Sequence, residues 1–123
     1  MSQTTTLILL PQTSYVNPGN GAPYTVTGNS QPGASYIIAP RSLQTVNINV
    51  TNCTGNITIE ASLATTPTST DWFKEYELDA NADSSGENSN AKVYTNITGN
   101  FVYMRAKIVD FQAGGVNFVK LSY

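Results

Sequence analysis

The chain has 123 residues, 40% of them hydrophobic and only 11% charged, with a formal net charge of -2 and no histidine. That length suits one domain with a real core, while six scattered Lys and Arg exclude a surface built for nucleic acid or anionic membrane. A single cysteine, Cys53, excludes a disulfide-stapled scaffold and the cysteine-rich zinc sites.

Thr, Asn, Ser and Gly supply the polarity that charge does not. They favour strands and turns over helices, and no window of helical length carries a 3.6-residue apolar stripe, so an all-β class is expected. The start, MSQTTTLILLPQTS, has no basic region, and its apolar run Leu7–Leu10 is too short for a signal peptide or membrane span. Synthesis in a cytoplasm without export is therefore expected. Four Asn-x-Thr triplets, at Asn49, Asn52, Asn56 and Asn96, then reflect composition and not glycosylation.

Residues 4–10 read as a first strand or an extended arm. Five of the six prolines lie between Pro11 and Pro40, with NPGNG and QPG as turn signals and short extended pieces at Tyr24–Thr27 and Ala34–Ala39. Residues 1–42 are thus an extended Pro/Gly-rich arm or edge region, with packing on their own domain as the default.

Residues 43–123 form the main domain. Val46, Ile48 and Val50 alternate with Thr45, Asn47 and Asn49; Asn52–Gly55 reads as a turn; then Ile57, Ile59, Ala61 and Leu63 alternate with Thr58, Glu60 and Ser62. DWFKEYEL is a strand with Trp72, Lys74, Tyr76 and Leu78 on one face. DANADSSGENSN is a polar loop, and AKVYTNITGN is a strand ending at Gly99. NFVYMRAKIVDF and VNFVKLSY flank QAGG and read as a closing hairpin, with Val102, Met104, Ala106 and Ile108 on one face and Val119 and Leu121 on a shared face. Val116 falls opposite those two. About eight to nine antiparallel strands at this spacing predict a two-sheet β-sandwich of Ig-like or jelly-roll kind.

Catalytic signatures are missing. Without histidine there is no Ser-His-Asp triad or Cys-His dyad, and no Walker or dinucleotide loop is present. Glu75 and Glu77 share a strand face that should be solvated, which argues against a carboxylate pair with them or with Asp71. Asp79, Asn81, Asp83 and Ser85 start an EF-hand-like register. It fails at Gly86 and Asn90, so no metal is expected and Asp79, Asn81 and Asp83 are only the nearest approach to a site. Arg105 and Lys107 read as a small basic spot facing solvent. Trp72 reads as a core ring with Phe73 as edge cover. Tyr15, Tyr24, Tyr36 and Phe73 are the interface candidates, since aromatic rings suit protein and carbohydrate partners alike.

Two stretches carry a resemblance: ITIEASLATTPTSTDWFKEYEL and NITGNFVYMRAKIVDFQAGGVNFVKLSY. A strand ending in Ser-Leu, a Thr/Pro/Asp loop, Trp-Phe, Gly-Asn-Phe-Val-x-x-Arg-Ala-Lys and a Gly-bearing break resemble small virion structural proteins of tailed bacteriophages, especially contractile-tailed phages of marine cyanobacteria. The likeness spans roughly residues 43–123. It implies a non-enzymatic β-sandwich made in the host bacterial cytoplasm and carried in the virion. The implied role is capsid decoration or cement, or a tail or neck accessory, without cofactors. Its partners would be major capsid or tail proteins or further copies of itself, and neither nucleic acid nor membrane. The alternative is a carbohydrate-binding or receptor-binding module of a phage fibre.

Overall fold

The computed structural model describes residues 6–34, 42–80 and 89–123. Its elements are β1 (Thr6–Leu10), β2 (Thr13–Ser14), β3 (Tyr24–Thr27), β4 (Gln31–Pro32), β5 (Leu43–Ser62), β6 (Phe73–Ala80), β7 (Lys92–Thr98) and β8 (Tyr103–Ser122). Every ladder is antiparallel, and together they form one connected sheet of eight strands. The fold is all-β, as expected.

Two 20-residue strands, β5 and β8, form its spine. The N-terminal stretch runs antiparallel along the whole of β8, from Thr6 opposite Ser122 through β2 and β3 to Pro32 opposite Tyr103. The strands described within residues 6–34 thus all pair with β8. On the other side of β5, β7 covers Leu43–Asn49 and β6 covers Gly55–Ala61.

Both expected turns inside these strands are corrected. Asn52–Gly55 and Gln112–Gly115 lie mid-strand, paired through Thr51 with Gly115 and Thr54 with Ala113. A two-residue hairpin turn of type I′ needs consecutive residues at positive φ. Here the left-handed residues stand apart: Asn52 at 47°, Asp110 at 55° and Gly114 at 65°. Such residues make bulges, which bend a strand without reversing it. The two strands bulge side by side. A Cβ on Gly114 would strike the Asn52 carbonyl, so the partner strand can pass only because that residue is glycine.

The bend brings each long strand's ends together. Gln44, near the start of β5, accepts a bond from the Ala34 amide at 3.0 Å. The neighbouring Gly33 amide donates to Val102 at 2.8 Å, and the Val102 amide donates to Ser62, at the far end of β5, at 2.9 Å. Likewise the Tyr123 hydroxyl, beyond the end of β8, donates at 2.9 Å to Pro32, which pairs with Tyr103 at its start.

One apolar cluster results. Val46, Ile48 and Val50 from one half of β5 join Ile57, Ile59 and Ala61 from the other, with Met104, Ala106, Ile108, Val119 and Leu121 from β8. Burying each large aliphatic side chain contributes about 1.5–3 kcal/mol. Val116 is also buried, against expectation. The ladder passes from Asn49–Phe118 to Val50–Val116, and the extra residue Asn117 returns Val116 to the inner face.

Candidate functional site

A second bulge decides which side chains reach the outer surface. Along β6, Leu78 pairs with Ile57 and Tyr76 with Ile59, but then Lys74 pairs with Glu60 and Phe73 with Ala61. Glu75 is the extra residue. Strict alternation would put Trp72 with Tyr76 and Leu78; the slip sends it to the opposite face and puts Phe73 on the inner side at the strand end, where it stays 38% exposed. Trp72 is therefore not core. The Arg105 guanidinium lies 4.2 Å from its ring centroid, and Phe73 packs edge-on against buried Phe101 at 5.7 Å.

Arg105 and Lys107 are not a free basic spot. Arg105 stands opposite Glu60, with Nε donating to Oε1 at 2.8 Å, and Lys107 Nζ reaches Oε2 at 3.2 Å. Glu60 is itself buried. A buried carboxylate needs such partners, because desolvating it alone would cost several kcal/mol. This outer face neutralises its own charges. The Lys74–Glu77 pair at 3.5 Å is exposed and contributes little.

Tyr15 and Tyr24 come together at the bend. Their rings stack at 5.3 Å, and both meet buried Phe111 edge-on, at 5.6 and 5.7 Å. The Tyr15 hydroxyl donates to the Ala22 carbonyl, and the Tyr24 hydroxyl accepts from the Val16 amide. These rings and hydroxyls engage the chain's own loop. Tyr36, Asn81 and Asp83 lie outside the described residues. Asp79 is exposed on β6, opposite Asn56. Among the described residues, no three of His, Cys, Asp and Glu are grouped to hold a metal ion, and no helix is long and apolar enough to cross a membrane. Cys53 is buried, and desolvation pushes its thiol up to about 11.

Two surfaces remain available. The first lies where the strand ends meet. Leu43 follows Ser42, whose carbonyl accepts from Gly99; Leu63 follows Ser62; and Phe73 contacts Phe101, whose ring covers Gly99. These three are 54%, 63% and 38% exposed. The second is the outer face of the other half, where Tyr94 and Lys120 flank Asn47 on either side. Tyr94 is 73% exposed. Sequence reasoning named neither group beyond Phe73. The alternation does put Tyr94 outward, but its neighbours depend on the pairing of β5 with β7 and β8.

No protein-family model, curated protein or solved structure matches this chain.

Proposed function

We propose that this chain is a bacteriophage virion structural protein, a capsid decoration or cement protein or a tail or neck accessory, that acts by protein–protein contact and catalyses no reaction. The observation that carries the reading is the apolar group at the closed end. Leu43, Leu63 and Phe73 are exposed beside a junction closed by backbone bonds from Gly33, Gly99 and Val102. Burying the exposed part of each side chain against a capsid or tail subunit would contribute about 1 kcal/mol. A pre-ordered surface loses little conformational entropy on docking, which favours stable attachment to a lattice.

Co-sedimentation of the purified protein with intact phage heads and with tails tests the proposal. Binding to one of them, weakened in a Leu43→Ser/Leu63→Ser variant that keeps its fold, is the expected result. Failure to bind either particle, or turnover of a metabolite by the pure protein, would overturn it.

A further inference from the structure

The outer face formed by β1, β7 and the adjoining halves of β5 and β8 differs from the face around Glu60. Its central row runs Tyr94, Asn47, Lys120, Ile8 across four neighbouring strands. Lys92 and Phe118 flank Asn49 in the next row. Residues 6–10, 43–50, 92–98 and 116–122 contain no Asp or Glu. Among the described residues, Lys92 and Lys120 are the two lysines without a carboxylate partner, whereas Lys74, Arg105 and Lys107 all have one. Within the described residues the Asn47 amide and the Tyr94 hydroxyl have no hydrogen-bond partner, and the Lys120 ammonium rests 4.2 Å over the Phe118 ring.

We propose that this face binds an acidic polysaccharide, with Tyr94 as the stacking ring, Asn47 as the hydroxyl-recognising amide and Lys120 as the carboxylate-binding cation. Strands lie about 4.8 Å apart, so Tyr94 and Lys120 are about 10 Å apart with Asn47 between them. A sugar ring stacked on Tyr94 therefore presents its hydroxyls over Asn47 and hands the next acidic unit to Lys120. An exposed ring beside one uncommitted amide, that of Asn47, matches the mixed C–H and hydroxyl surface of a sugar. The lysines then select a uronate over a neutral glycan. A protein partner is disfavoured because protein interfaces are depleted of lysine at their centre, and nucleic acid needs a denser basic array. The proposal does not rest on the virion reading: Tyr94, Asn47 and Lys120 are distinct from Leu43, Leu63 and Phe73, although Leu43 lies two rows from Asn47 on the same strand half.

Native-gel affinity electrophoresis of the full chain, with alginate as the acidic probe and dextran as the neutral one, tests it. Alginate should retard the protein, dextran should not, and added salt should weaken the effect. Tyr94→Ala should reduce apparent affinity about tenfold and Lys120→Gln about threefold, with thermal melts unchanged. Leu63→Ser should bind as the parent does. Equal migration with and without alginate, equal retardation by dextran, or retardation indifferent to both face substitutions would overturn the proposal. So would loss of particle co-sedimentation in the Tyr94 and Lys120 variants without any alginate binding, because the face would then be a protein contact.

Discussion

Glu60 and Arg105 stand directly opposite one another in the central ladder and are joined at 2.8 Å, with the guanidinium capped by Trp72. Lys107 takes the second carboxylate oxygen. One buried anion thus organises two cations and an aromatic ring on the outside of the sheet. Glu60→Gln keeps the shape and removes the charge. We expect a loss of about 1–2 kcal/mol, less than for a fully buried pair because both cations reach solvent. Urea titration measures it, and an unchanged midpoint would refute it.

Gly114 should tolerate no side chain. Its φ of 65° and the collision of a Cβ with the Asn52 carbonyl act together. Gly114→Ala is expected to cost more than about 2 kcal/mol, compared with about 1 kcal/mol at Gly19, which also has positive φ but open space around it. Comparing the two thermal melts separates the collision from the strain.

Gln44 is wholly buried and fully bonded, accepting from Ala34 and sharing its two N–H among the carbonyls of Ser42, Ile97 and Gly99. Gln44→Leu would leave the Ala34 amide and several carbonyls without that partner, for an expected loss of about 2 kcal/mol. Because the amide ties the start of β5 to the segment after β4, hydrogen exchange should quicken at Ala34 before it does in mid-sheet.

Cys53 yields a pH prediction. Burial raises its thiol from 9.0 to about 11 in the folded chain. The unfolded state therefore loses its proton first. The stabilisation is complete below pH 9 and is lost as pH rises toward 11, at up to about 1.4 kcal/mol per unit. A Cys53→Ala variant should lack that part of the slope. In the native parent the thiol should resist alkylation at pH 8 and react after unfolding.

Much of the architecture was legible from local pattern. Period-two alternation identified Val46, Ile48, Val50, Ile57, Ile59, Met104, Ala106 and Ile108 as core, because successive side chains in a strand must point to opposite faces. What it could not supply was the behaviour of the interruptions. Asn52–Gly55 and Gln112–Gly115 carry turn residues, yet whether they reverse the chain or bend it depends on a neighbour bulging at the same level. That neighbour lies some 60 residues away in sequence.

The same limit governed the surface. A single extra residue at Glu75 reversed the faces of Trp72 and Phe73, and alternation has no means of announcing a slip that arises from pairing with Glu60 and Ala61. Composition and periodicity were enough for the strand class and the buried set, since both follow from each strand's own geometry. Which charges meet, which rings are covered and which face stays uncommitted were settled by cross-strand register. Register is a property of two distant segments and is written in neither one alone.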